Sequence, residues 1–158
     1  MELAAESLRL LDGAGVEDAL AAPCVLCSSR LGVRYPSGIL CAVCEWRVGD
    51  LPDAELPPPR VDVVYYIRFD DRIKIGTSAN PRQRLGALWH EELLAFERGD
   101  RALERRRHEQ FRALRLERTE WFTAAPELEA HIDTLRAGVV DPWQQHLRWI
   151  SEAVASRG

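Results

Sequence analysis

Hydrophobic and polar positions alternate most regularly in the middle of the chain. Val63, Tyr65, Ile67 and Phe69 interleave with Val64, Tyr66 and Arg68, the period of two that marks a strand. Phe69-Asp70-Asp71-Arg72 supplies a turn, and Ile73 and Ile75 alternate with Arg72 and Lys74 on a return strand. Gly76 closes that strand where a side chain would obstruct another backbone or a ligand. Asn80 is a good N-cap, and Pro81 at the first helical position needs no amide partner. The pattern predicts strands near 62–69, 72–76 and 92–97 and helices near 80–89 and 100–115, a small α/β (α+β) layer. Glu120-Trp121-Phe122 is expected to add a fourth strand or an extended edge. Met1 to Ala22 reads as one or two short helices broken at Asp12-Gly13-Ala14-Gly15, with Leu3, Leu8, Leu10, Leu11, Val16 and Leu20 as the apolar face. Asp141-Pro142 opens a last helix whose Trp143, Leu147, Ile150 and Val154 share one side. That helix is expected to pack back on the domain, with docking of a protein partner as the alternative.

These elements divide the chain into five segments. They are an N-terminal helical segment (1–22), a loop-rich four-cysteine module (23–49), a proline-rich linker (50–60), a compact domain (61–137) and a C-terminal amphipathic helix (138–158). The module holds every cysteine in the protein: Cys24-Val25-Leu26-Cys27 and Cys41-Ala42-Val43-Cys44, separated by 13 residues. Two such knuckles let four thiolates converge on a structural Zn2+ with no open position, a zinc-ribbon-like arrangement. A segment this short cannot bury enough apolar surface to hold itself together unaided. Two disulfides or a redox pair are the alternatives, and disulfides fit poorly with an N-terminus that does not read as a signal peptide.

Composition narrows the classes. At 158 residues, 46% hydrophobic and 29% charged, the chain is globular. No apolar run is long enough to span a bilayer, so a cytoplasmic protein without membrane contact is expected. The net charge of −4 argues against indiscriminate nucleic-acid binding by the whole molecule. Its distribution argues for a local basic face: residues 60–118 carry 14 basic and 10 acidic side chains, against 4 and 9 before them and 3 and 6 after. Ion pairs with Glu97, Asp100, Glu109 and Glu117 are the competing use of those arginines.

The hairpin and its helix bring Tyr65, Lys74 and Arg84 together near Gly76, a set suited to a phosphate. At these residues the chain resembles the GIY-YIG nucleases. Val63-Val64-Tyr65 stands where that family has GIY, Lys74-Ile75-Gly76 where it has YIG, and Arg84, ten residues after Lys74, where it has an arginine. Leu103-Glu104, His108, Phe111 and Glu120-Trp121-Phe122 are similar to the pattern of a phage and bacterial subgroup whose second motif reads KIG. The resemblance covers roughly Val61 to Glu129. It implies a three-stranded antiparallel sheet flanked by helices, and a metal-dependent DNA endonuclease with DNA as substrate and partner.

It also implies roles. Glu104 would hold a catalytic Mg2+ or Mn2+, and Arg84 would clamp the phosphate. Tyr65 would be a general base or water-orienting hydroxyl, with Lys74 as the neighbouring cation it needs. His108, one turn after Glu104, could orient it or assist proton transfer. Glu120 ranks below Glu104 as a metal ligand. Tyr66, on the opposite side of the strand, is a lesser candidate whose packing role is favoured. The wider family often has a histidine four residues after its arginine, where this chain has Leu88, with His90 two residues further on. A catalytically weak DNA-binding or adaptor protein, and a zinc-ribbon protein-interaction module, are the alternative functions.

Overall fold

The computed structural model describes residues 15–157, so the helix expected over Leu3 to Leu11 lies outside the described residues. The chain separates into two compact units. One comprises the chain up to Pro59 together with the part from Trp143 onward, and the other is Arg60–Pro142. Both sheets are antiparallel, and the whole is the mixed α+β architecture expected.

In the first unit, β1 (Val16–Ala19), β2 (Leu31–Tyr35) and β3 (Gly38–Cys41) form a three-stranded sheet in that order. Val16 and its neighbours were expected to be helical. They form an edge strand instead, with Val16 opposite Arg34 and Ala19 opposite Leu31. A β-branched residue followed by acidic ones reads ambiguously over so short a stretch, and pairing with β2 decides it. Each CxxC closes in the same way. The Ser28 amide donates to the Cys24 carbonyl at 2.9 Å, and the Glu45 amide donates to the Cys41 carbonyl at 3.0 Å. Ser28 and Glu45, each directly after a second cysteine, take φ values of 64° and 65°. The last helix of the chain, Pro142–Ala155, belongs to this unit rather than to the central domain on which it was expected to pack. Its Leu147, Val154 and Ala155 pack against the cluster of Cys24, Cys41, Cys44 and Trp46.

In the second unit, β4 (Val63–Phe69) and β5 (Arg72–Ser78) form the predicted hairpin, turning through Asp70 at φ 60°. With β6 (Glu92–Arg98) and β7 (Trp121–Thr123) they make a sheet of order β6-β4-β5-β7. The sheet therefore has four strands, and Trp121-Phe122 is the fourth. The helices are α1 (Pro81–Ala87), α2 (Arg101–Gln110) and α3 (Pro126–Arg136), so the final helix is α4. Asn80 caps α1 by accepting from the Gln83 amide, and Asp100 caps α2 by accepting from Ala102 at 2.9 Å. β4 is central and its Val63 to Ile67 are fully buried, which explains why both of its faces are apolar. The core lies on the Val64–Tyr66 face, where Ile73, Ile75, Phe122, Leu103, Phe111, Leu128 and Ile132 gather.

A polar network crosses that core. The Tyr66 hydroxyl donates to Glu97 Oε1 at 2.8 Å and lies 3.1 Å from His131 Nε2, while Arg107 holds both Glu97 oxygens at 2.9 and 2.5 Å. Burial pushes Glu97 up, but the bonds from His131, Arg107 and Tyr66 outweigh it and hold the carboxyl at about 2. A depressed folded-state value stabilises the protein above the ordinary carboxyl range, and that stability is lost as pH falls through about 2. Acid unfolding monitored by circular dichroism should show a loss of about 3 kcal/mol between pH 5 and 2. Glu97→Gln should remove most of that pH dependence.

Candidate active site

Tyr65 sits in the middle of β4, 1% exposed, and pairs with Gly76 across the hairpin and Phe96 across the other ladder. A methyl group on Gly76 would come within 2.4 Å of both the Tyr65 Cζ and its hydroxyl oxygen. The phenol ring therefore lies over Gly76, and its hydroxyl points across β5. The close approach anticipated at Gly76 is made by the protein's own tyrosine. Gly76→Ala should force the buried ring aside and cost about 1–3 kcal/mol in urea denaturation. In a Tyr65→Ala background the same change should be nearly free, a coupling a double-mutant cycle reads directly.

β7 pairs with β5 only from Arg72 to Lys74. Beyond it, the Ile75 amide donates to the Glu120 carbonyl at 3.1 Å, and His108 Nε2 lies 2.7 Å from the Ile75 carbonyl. A carbonyl only accepts, so this nitrogen carries the proton. The His108 ring also packs against Phe122, with centroids 5.1 Å apart. On this edge α2 places Glu104, with Oε1 4.0 Å from His108 Nε2 and both side chains largely buried. From the other side α1 brings the Arg84 guanidinium up to the Tyr65 hydroxyl. Lys74 Nζ lies 3.4 Å from Glu120 Oε2 and 6.0 Å from the Trp121 ring centre. Tyr65, Lys74, Arg84, Glu104, His108 and Glu120 thus form one group of mutually interacting polar side chains beside β5.

The electrostatics of this group are uneven. Burial raises the Tyr65 phenol, and the hydrogen bond from Arg84 offsets this only in part, so it is protonated at neutral pH. The cation facing that hydroxyl is Arg84, the place the sequence assigned to Lys74, which pairs with Glu120. Glu104 is raised by burial first and by the negative charge of Glu120 second, with His108, Arg101 and Lys74 opposing. The two carboxylates are thus close enough to repel, and Glu120 is paired with Lys74.

Two sequence candidates lie elsewhere. Tyr66 faces away from this group and belongs to the Glu97–His131–Arg107 network, which single-residue inspection did not find. His90 turns its Nδ1 to the Leu88 carbonyl at 2.8 Å.

The four cysteines form a separate candidate metal centre. Their sulfurs all lie within 4.8 Å of one another, with Cys24–Cys44 at 3.6 Å and Cys27–Cys41 at 3.5 Å. A tetrahedral zinc with Zn–S bonds of about 2.3 Å requires sulfurs roughly 3.8 Å apart, so the set can hold a zinc ion. The Val43 amide lies 3.4 Å from Cys41 Sγ, the kind of bond that stabilises a thiolate. Hydrogen bonding from the Cys44 thiol, assisted against burial by the Cys44 and Val43 amides, holds the Cys41 thiol below its ordinary value.

One family model matches the chain: the T5orf172 domain, over residues 62–150. No curated protein and no solved structure matches it. The match corrects the resemblance to GIY-YIG nucleases, because it places the same residues in a different family. The motifs that suggested GIY-YIG are short, and much of their content is what any buried hairpin requires. Val63-Val64-Tyr65 lies in the inner strand β4, and Lys74-Ile75-Gly76 lies in its neighbour β5, with the glycine where the tyrosine ring needs room.

Proposed function

Because the chain belongs to the T5orf172 domain family, a nuclease-like and DNA-binding family, we propose that it is a metal-dependent endonuclease cleaving phosphodiester bonds in DNA. The observation that supports this reading is the proximity of a phenol, a guanidinium, an ammonium and two carboxylates beside β5. Arg84, mostly in solvent on α1, would bind a phosphate oxygen with its planar fork and stabilise the charge that builds during displacement. Tyr65, held protonated, would orient the attacking water or a phosphate oxygen through its hydroxyl rather than remove a proton in the resting state. Glu104, with Glu120 beside it, would hold Mg2+ or Mn2+. When bound, that ion would supply Lewis-acid activation of water and of the scissile phosphate. His108 is a positioning residue: its Nε2–H fixes the ring on the Ile75 carbonyl, one turn from Glu104. Lys74 keeps Glu120 in place and contributes positive charge to the site.

Incubating the full-length protein with labelled single-stranded, duplex and branched DNA and Mg2+ or Mn2+ tests the proposal. Metal-dependent cleavage that Glu104→Ala and Arg84→Ala abolish is the expected result. DNA binding without cleavage of any substrate, unchanged by Glu104→Ala, would overturn it in favour of an adaptor.

A further inference from the structure

Among the described residues, Trp89 is the one aromatic side chain left mainly in water, at 79% exposure. Phe96, Phe111, Phe122, Tyr65 and Tyr66 of the same unit are all buried. Exposing a tryptophan forgoes one of the largest hydrophobic contributions a residue can make. Its position is also fixed. The segment leaving α1 is pinned by the Leu88 amide on the Leu85 carbonyl at 3.4 Å and by His90 on Leu88. The Glu91 amide donates to Arg68 at 2.8 Å, and the Glu91 carboxylate accepts from the Asp70 amide at 2.9 Å. Trp89 therefore projects from a segment anchored on both sides.

The same short element carries Arg84. Leu85 is buried beneath it, whereas Arg82, Gln83, Arg84, Gly86 and Ala87 are exposed. A Cβ on Gly86 would meet nothing within 4 Å, so this surface is low and open. Three helical and two extended residues put Trp89 at most about 11 Å from Arg84, a span of a few nucleotides. A guanidinium at one end, small residues between and an indole at the other match a strand whose phosphate is clamped and whose neighbouring base has left its stack.

We propose that Trp89 stacks on an unpaired DNA base close to the phosphate held by Arg84, so that the site takes single-stranded or locally opened DNA. This rests on the nuclease reading above and goes beyond it by naming the form of the substrate.

The test uses the full-length Glu104→Gln protein, which would bind without cutting, and a fluorescein-labelled oligodeoxythymidine titrated by anisotropy. Trp89→Ala in that background should weaken binding by about tenfold, whereas Trp89→Phe should retain most of it. Unlabelled oligodeoxythymidine should also quench tryptophan emission in the parent, and that quenching should fall clearly in Trp89→Phe. Circular dichroism should be unchanged, since the side chain is already in solvent. Binding by Trp89→Ala within twofold of the parent, or equal quenching in Trp89→Phe, overturns this inference and leaves the nuclease reading standing. Failure of the parent to bind any DNA overturns both.

Discussion

Glu104→Ala is expected to lower cleavage at least about a thousandfold while leaving the fold intact. The size follows from what the carboxylate would hold. A divalent ion at a scissile phosphate supplies several kcal/mol of charge stabilisation, and each 1.4 kcal/mol is tenfold in rate. The lack of a folding penalty follows from the electrostatics. Glu104 is raised by burial and by Glu120, so its ionised form is held in a place that disfavours it. A raised folded-state carboxyl value means the group destabilises the protein at pH values above it, the opposite of Glu97. Glu104→Gln should therefore show a melting temperature equal to or above that of the native protein, together with lost activity. A glutamate present for structure would give the reverse pair, lower stability with cleavage preserved. Arg84→Lys should fail to restore Arg84→Ala, because an ammonium cannot reproduce the planar fork.

What the sequence revealed and what it hid divide along physical lines. The β4–β5 hairpin was legible because both strands carry apolar side chains at strand spacing and a two-residue polar turn separates them. Both helix starts near the site were legible because Asn80 and Asp100 cap them with their own side chains. The convergence of Tyr65, Arg84 and Glu104 could be read because register and capping fix where each side chain begins. Family membership could not be read from the same residues, since strand, glycine and arginine recur wherever a hairpin feeds a helix. The Glu97–His131–Tyr66–Arg107 network was hidden because its members are up to 65 residues apart and each alone looks like a surface charge or a core aromatic. The place of α4 was hidden too. An amphipathic face declares that it will be buried without saying against what, and here its Leu147 and Val154 meet the cysteine cluster.

Removing zinc should unfold the first unit. Among the described residues, apart from the cysteines and Trp46, its buried apolar side chains are Tyr35 and Leu40, with Val33, Leu20, Leu26, Val43, Leu147 and Val154 only partly buried around them. That is far short of what ordering some sixty residues demands, at about 1–2 kcal/mol of backbone entropy each. Strands β1 to β3 are short, and the four residues of β1 are exposed, so the sheet cannot compensate. A zinc ion held by the four cysteines would then be the principal staple, because structural zinc contributes on the order of 10 kcal/mol to the folding of such modules. Four thiols left without it would crowd sulfurs 3.5 and 3.6 Å apart around nothing. Zinc content by mass spectrometry should be one ion per chain, and Cys41→Ser or Cys44→Ser should abolish it. Limited proteolysis of these variants should cut within residues 15–59. Arg60–Pro142 has its own core of Tyr66, Ile73, Ile75, Phe122 and Leu128, and it should stay protected and keep the acid transition of Glu97. Loss of both units together would mean that the cysteine centre supports the candidate site as well. Retention of the first unit in a zinc-free protein would remove the metal from its account.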